Sequence, residues 1–385
     1  MGIKKVCLYL ATLLAGVALG AGMVGYPVYR AVGDLTSAGK FVYSLTVLRK
    51  HFVGTLDNDK LCRGAISGLM KATGDPYTVF LDEKDFDALE EMRIGSFGGI
   101  GVVFGKRGDD YVIISVLEDN PSAKVGVKAG EKIVAVDGKP TREMHMDEVA
   151  YAIRGEPGTV VEVTLQDKKK QERKVKITRA LIKSPSVAGK LLERPGAKLG
   201  YIRIAQFNDN TGPDFRKELA KLAKSGMQGL ILDLRFNPGG LLQQAVEIGR
   251  ELVPAGPIVS TVLKNGAKYV EKSHLAQVRW PLVVLVNEGS ASASEIVAGA
   301  VKDTKAGVLI GTKTFGKGCV QAVYPFAGTK TGLKVTIAKY YTPSGVCIDE
   351  VGIEPDVEVT LPEHSTTDVQ LEAAEKYLEK IVSDK

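Results

Sequence analysis

The sequence predicts a multidomain protein of mixed α/β class, and three observations carry that reading. Between residues 199 and 310 short apolar strand patterns alternate with amphipathic helical ones, which argues for a largely parallel sheet flanked by helices. Between Gly95 and Thr178 the pattern changes to short strands interrupted by two brief helices. A chain of 385 residues, 44% hydrophobic and 25% charged, exceeds one ordinary domain and can fill two or three cores.

Met1 to Tyr29 differs in kind from the rest of the chain. Lys4 and Lys5 precede an uncharged stretch, Val6 to Tyr29. As a helix it would rise about 36 Å, enough to cross a bilayer with the positive flank on the cytoplasmic side. Residues 1–30 are therefore expected to be a membrane anchor that places the rest outside the cytoplasm. Ala18 and Gly20 also satisfy the small-residue rule for cleavage, so a removed signal sequence with a periplasmic product is the alternative.

Next, Leu35–Phe52 and Leu56–Thr73 carry helical spacing of apolar residues, with Asp57 or Asn58 as a cap, and a further helix spans Asp82 to Met92. These form a helical N-terminal module, residues 31–93. Strands then read at Ile100–Phe104, Tyr111–Val116, Ile133–Val136, Val160–Leu165 and Val175–Thr178, with helices near Ser122–Val125 and at Met146–Ile153. Past a linker with Ser184-Pro185 and Pro195-Gly196 come Leu199–Ile204, Asp214–Lys224, Gly229–Leu234, Leu241–Leu252, Leu282–Val286, Glu295–Asp303 and Val308–Ile310. Val320–Tyr324 and Lys334–Lys339 read as further strands, and Asp368–Val382 as an amphipathic terminal helix within residues 363–385. The terminal helices are also the candidate surfaces for homo-oligomer formation.

A net charge of +6 without a basic helix interleaved with aromatics gives no support to nucleic-acid binding. The densest basic run, Lys168-Lys-Lys170 with Arg173 and Lys174, reads as a solvated hairpin turn. Cys7, Cys62, Cys319 and Cys347 are too irregularly spaced to predict a structural disulfide, and no Cys or His pair has metal-ligand spacing. No metal and no cofactor are expected.

The chemistry concentrates in Asn287-Glu-Gly-Ser-Ala-Ser-Ala-Ser-Glu-Ile296 and Thr314-Phe-Gly-Lys-Gly-Cys-Val-Gln321. Small hydroxyl residues before an apolar helical pattern place a serine at a helix N-terminus, where free N–H groups can hold developing negative charge. Lys317, between two glycines, can approach such a site, and desolvation would let it lose its proton and serve as a base without histidine. Ser292 and Glu295 also stand as S-x-x-E, a capping box, so a pure helix cap is the competing reading of this serine. Gly311-Thr-Lys-Thr-Phe-Gly-Lys-Gly318 falls one residue short of a phosphate-binding loop, but Gly318 replaces the magnesium-binding hydroxyl and a strand comes next where a helix is required. His51, His145, His274 and His364 lie in no catalytic motif, which argues against a Ser-His-Asp triad.

These segments, with Asp75-Pro-Tyr-Thr-Val-Phe-Leu81, Gly95-Ser-Phe-Gly-Gly-Ile-Gly101, Asp137-Gly-Lys-Pro140, Asp233-Leu-Arg-Phe-Asn-Pro-Gly-Gly240 and Tyr340-Tyr-Thr-Pro-Ser-Gly345, resemble the carboxyl-terminal processing peptidases, or tail-specific proteases. The resemblance covers nearly the whole chain after the leader. It implies a PDZ domain at residues 94–180 inserted ahead of a crotonase-like ββα protease core at residues 181–362. It implies a serine endopeptidase that acts on proteins or peptides with free C-termini. Ser292 matches the nucleophile, with Ser290 and Ser294 as fallbacks, Lys317 the base, and Gln321 the amide that orients the amine. Asp303 is a second candidate for that supporting role, with a helix-end residue as its plainer reading.

Asn237-Pro-Gly-Gly240 follows a buried strand and opens a helix, so Gly239 is a candidate oxyanion donor with the Ala293 amide as the other half. Gly98, Gly99, Ile100 and Gly101 look like the PDZ loop whose amides hold a terminal carboxylate. Arg154, at the end of the flanking helix, is a candidate for binding substrate termini or bridging to the core, or else a helix C-terminal cation. After Ser344-Gly345 the chain has Val346-Cys347-Ile-Asp349 where the family has Arg-x-Ile-Gln, which bears on the lining of that loop. A catalytically inactive PDZ adaptor and a crotonase-like acyl-CoA enzyme are the rival functions. The intact Ser292, Lys317 and Gln321 argue against the first, and the PDZ segment and leader against the second.

Overall fold

The computed structural model describes residues 33–362 and 367–383 of the chain. The expected leader, residues 1–30, lies outside the described residues, as do His364 and the start of the C-terminal segment. Among the described residues no helix is long and apolar enough to cross a membrane. The chain divides into two units, residues 1–74 and 75–385.

In the first unit, α1 (Leu35–His51) begins where Asp34 accepts the amides of Thr36 and Ser37 at 2.9 and 3.0 Å. Helix α2 (Asn58–Lys71) is capped in the same way by Asp57, through the amides of Asp59 and Lys60. Each cap satisfies N–H groups that the helix itself cannot.

The second unit opens with β1 (Val79–Leu81) and α3 (Glu83–Ile94), which ends at Gly95 in the left-handed conformation, φ +69°. Strand β2 (Ser96–Gly99) then pairs antiparallel with β9 (Ala180–Lys183), Ser96 opposite Lys183 and Gly99 opposite Ala180. Everything between leaves and returns through that two-stranded ribbon. It comprises β3 (Val102–Arg107), β4 (Asp110–Val116), α4 (Pro121–Lys124), β5 (Lys132–Val136), β6 (Lys139–Pro140), α5 (Met146–Ile153), β7 (Val160–Gln166) and β8 (Glu172–Thr178). The sheet runs β3-β4-β5-β7-β8 and closes over its own core of Tyr111, Ile113, Val149, Ile153, Val161, Leu165 and Ile177. The polar end of Tyr111 is satisfied by the Met144 carbonyl at 2.6 Å.

The remaining elements are β10 (Val187–Arg194), β11 (Ala197–Ile204), α6 (Thr211–Lys224), β12 (Gly229–Asp233), α7 (Leu242–Leu252), β13 (Gly256–Leu263), β14 (Lys268–Ser273), β15 (Leu282–Val286), α8 (Ala293–Asp303), β16 (Val308–Gly311), β17 (Cys319–Pro325), β18 (Gly332–Tyr341), β19 (Val357–Glu358) and α9 (Val369–Ser383). The sheet order β10-β11-β12-β15-β16-β19 is parallel after the first pair. Strands β12 and β15, Gly-Leu-Ile-Leu-Asp and Leu-Val-Val-Leu-Val, are buried throughout, as a sheet covered on both faces requires. Leu230, Leu232, Val284 and Val286 face a core shared with α6, α7 and α8, and Ile231, Val283 and Leu285 face α9.

Strands β17 and β18 do not extend this sheet. They join β1, β13 and β14 in a second, antiparallel sheet ordered β1-β18-β13-β14, with β17 on the other edge of β18. The two chemical segments thus come from different layers. The serine heads α8 behind the parallel sheet, and the lysine precedes β17 of the antiparallel one.

Candidate active site

Ser292 is the N-cap of α8, in an uncommon backbone conformation, φ +55° and ψ −113°. Such a conformation costs an L-residue about 1–3 kcal/mol and persists only where its surroundings over-determine it. Here the surroundings do so. The Ser292 amide donates to Glu295 Oε2 at 2.8 Å, and the preceding Ala291 amide donates to the Asn237 carbonyl at 3.0 Å.

The three serines of the segment are not equivalent. Ser290 Oγ donates to the Leu234 carbonyl at 2.8 Å and accepts the Asn287 amide at 3.0 Å. Ser294 Oγ donates to the Asn237 carbonyl at 2.9 Å. Both are fully buried and committed to backbone groups, whereas Ser292 is half-buried.

Glu295, fully buried on the first turn of α8, joins the two segments. Its Oε1 accepts Thr314 Oγ1 at 2.6 Å and the Gly316 amide at 2.7 Å; its Oε2 accepts the amides of Ser292 and Lys317 at 2.8 and 2.9 Å. Four donors on one carboxylate match the acceptor capacity of the ionised group. Sequence reading gave Glu295 only the cap half of this role. The Lys317 half depends on a loop 22 residues further on and has no local signal.

Lys317 Nζ lies over the ring of Tyr77, 4.4 Å from its centroid. Burial pushes its pKa below the ordinary lysine value, opposed in part by Cys319, Asp75 and Glu295. Among the described residues no hydrogen bond joins Ser292 Oγ to Lys317 Nζ. Tyr340, buried on β18, stands between the segments. Its hydroxyl donates to the Lys317 carbonyl and lies beside the Ser292 side chain. Burial and the nearby Glu295 charge hold that phenol well above its usual pKa, so it stays protonated. In the sequence Tyr340 opens a segment that carries the family resemblance but has no role of its own there, because its place beside the serine depends on a partner 48 residues away.

Gln321 Nε2 donates to Cys319 Sγ at 3.1 Å and approaches Thr336 Oγ1 at 3.4 Å, leaving its Oε1 to accept from an amine. Asp303 lies at the far end of α8, where its carboxylate accepts the Ser344 amide at 2.9 Å. In the departing segment Asp349 accepts the Gly318 amide at 3.1 Å and pairs with Lys339 at 3.0 Å.

Gly239 is pressed against the serine. A Cβ there would meet Ala291 O at 2.7 Å, Ser292 Cβ at 2.8 Å and Ala293 N at 2.9 Å, and its φ is +100°. The Ala293 amide, at the first position of α8, donates to no group among the described residues. The Gly239 amide is held by Asn237 Oδ1 at 2.9 Å.

Of the four glycine-loop residues, Gly98 and Gly99 are committed to pairing with Leu181 and Ala180 in the ribbon. Ile100 is buried in the sheet core and Gly101 has φ +79°. The Ile100 and Gly101 carbonyls accept the Ser122 and Leu117 amides at 2.9 Å each, while their own N–H groups donate to no group among the described residues. Arg154 stacks on Phe97 at 4.4 Å and donates to Glu91 Oε2 at 3.0 Å, so it bridges the inserted sheet to α3.

The chain is similar to known proteins along most of its length. Residues 198–359 match the profile of peptidase family S41, residues 112–167 a PDZ domain and residues 30–85 the N-terminal domain of the activating protease CtpB. A carboxy-terminal-processing protease of Bartonella bacilliformis is 36% identical over 82% of this chain and 73% of its own. Carboxy-terminal processing protease CtpA of Bacillus subtilis is 34% identical over 83% and 68% respectively. The structure of a photosystem II D1 C-terminal processing protease is similar with a TM-score of 0.53 at 34% identity, over 89% of this chain and 92% of that one.

Proposed function

Since the chain belongs to the carboxy-terminal processing proteases of peptidase family S41, we propose that Ser292 is the nucleophile of this serine protease and Lys317 its general base. The observation that carries the reading is the Glu295 carboxylate, which ties the backbones of both residues to one point.

The reaction is acyl transfer. Neutral Lys317 accepts the Ser292 hydroxyl proton, Oγ attacks the scissile carbonyl, and the Ala293 amide receives the developing oxyanion at the head of α8. Gly239 supplies the second donor once its N–H turns from Asn237 Oδ1. The lysine returns the proton to the leaving amine, and water hydrolyses the acyl-enzyme. Gln321 Oε1 orients the lysine amine. A phenol as firmly protonated as Tyr340 serves as a hydrogen-bonding neighbour and not as the base.

The PDZ domain presents the amides of Ile100 and Gly101 to a terminal carboxylate, with the substrate tail added along β3. Gly98 and Gly99 act as the ribbon that carries this loop, and Arg154 sets the loop against α3. The enzyme works outside the cytoplasm, delivered by the apolar segment after Lys4 and Lys5 and either held in the membrane by it or released by cleavage.

The test is turnover of an unfolded protein substrate. Ser292→Ala and Lys317→Met are each expected to lose about a thousandfold or more while keeping the parent circular dichroism spectrum. Parent-rate cleavage by either variant contradicts that residue's role.

A further inference from the structure

The group that faces the Lys317 amine is an aromatic ring. Several charges act on Nζ: Cys319, Asp75 and Glu295 favour its ammonium, while the carboxylates around it also accept hydrogen bonds from other groups. Glu295 is saturated by its four donors, and Asp349 is held by Lys339 and the Gly318 amide. Asp75 accepts the Tyr77 amide at 3.0 Å and Thr78 Oγ1 at 2.6 Å. Lys334 on β18 adds repulsion, and Cys319 and Tyr340 are the other ionisable neighbours. What lies against Nζ is the face of Tyr77 at 4.4 Å, inside the range where a ring quadrupole holds a cation, and the contact strengthens when water is excluded.

The ring is fixed in place. Besides the Asp75 turn, Thr78 Oγ1 accepts the Thr336 amide at 3.1 Å, and the next residue, Val79, pairs with Lys334. The segment carrying Tyr77 is therefore laced to β18, the strand that also pairs with β17 just beyond Lys317.

We propose that Tyr77 is a positioning residue for the base: in the resting enzyme its ring holds Lys317 as an ammonium away from Ser292, and the lysine becomes a base on leaving the ring. This rests on the assignment of Lys317 as the general base. A ring face stabilises the charged amine, whereas burial opposes it. Removing the ring takes away one of the groups that oppose burial, so the amine gives up its proton at lower pH.

The experiment is the pH dependence of kcat/KM, which reports the free enzyme. For Tyr77→Leu the acid limb should move down by about half a pH unit or more, which is about a threefold rate gain below the limb. Tyr77→Phe keeps a ring face and should retain the parent profile. Tyr77→Trp, with a stronger face, should move the limb upward, and it keeps the proposal testable if the leucine variant fails to fold. A Leu profile that coincides with the parent's, a Phe variant that shifts as far as Leu, or a Trp variant that shifts downward overturns the role of the ring. The parallel variant Lys317→Met separates this from the underlying reading. If it turns over at the parent rate, the base assignment itself fails. If it is inactive while Tyr77→Leu leaves the limb unmoved, only the Tyr77 proposal falls.

Discussion

Glu295 Oε2 accepts the backbone amide of Lys317 at 2.9 Å, from the third position of the helix that Ser292 opens. The same oxygen accepts the Ser292 amide, so nucleophile and base share one buried atom as their common reference. The lysine loop is thereby positioned by the serine helix, and not only by its own β-strand.

Glu295→Gln should therefore damage both fold and rate. It replaces one carboxylate oxygen with an NH₂ that faces two donors, losing two charge-assisted bonds in a fully buried site. A stability loss of about 3 kcal/mol is expected in urea denaturation. Turnover should fall by about a hundredfold as the Lys317 loop moves. A variant of parent stability and rate would show that the shared carboxylate does not set the geometry.

The lysine should also leave a signature in pH. Burial lowers its pKa, and the neutral amine is the active form, so kcat/KM should rise with pH as the ammonium gives up its proton and level off below the range of a free lysine. Lys317→Arg should not restore activity, because a guanidinium keeps its proton. Near-parent turnover in the arginine variant would remove proton abstraction by residue 317 from the mechanism.

Gly239→Ala should be severe for a steric reason. Its Cβ would stand 2.7–2.9 Å from Ala291 O, Ser292 Cβ and Ala293 N, and the φ of +100° disfavours any L side chain. A cost of about 2 kcal/mol or more, together with loss of turnover, is expected in melting and activity assays. An alanine variant that melts and cleaves like the parent would mean that the loop can retreat from the serine.

Substrate tails give a separate handle on the PDZ domain. Replacing a terminal carboxylate by an amide sets N–H donors against those of Ile100 and Gly101, and should weaken docking by about 1.5–3 kcal/mol. Matched substrates cut at the same internal bond should then differ at least tenfold in kcat/KM. Equal values would mean that this loop does not select tails.

Much of this was legible in the sequence where the signal is local. The helix Met146–Ile153 is found with the bounds its periodicity gives, and the S-x-x-E pair marks the head of α8. Signals that depend on distant partners were not legible. Gly98 and Gly99 read as half of a ligand loop, but their strand partners, Leu181 and Ala180, lie some eighty residues on. Tyr77 and Tyr340 lie in segments that carry the family resemblance, but sequence alone gives neither a role, because a ring over an amine and a phenol beside a serine exist only once residues far apart in the chain are brought together. One local signal points further than the strand patterns did: Asn265-Gly266 between apolar runs marks the β13–β14 hairpin.

The central claim is that Ser292, activated by Lys317, is the residue that attacks the substrate, and an active-site serine probe tests it most directly. The enzyme is treated with a fluorophosphonate and the labelled residue is mapped by mass spectrometry. Labelling confined to Ser292, lost in Ser292→Ala and strongly slowed in Lys317→Met, is the predicted result. Labelling at Ser290, Ser294 or elsewhere, or a rate unchanged by Lys317→Met, would contradict it.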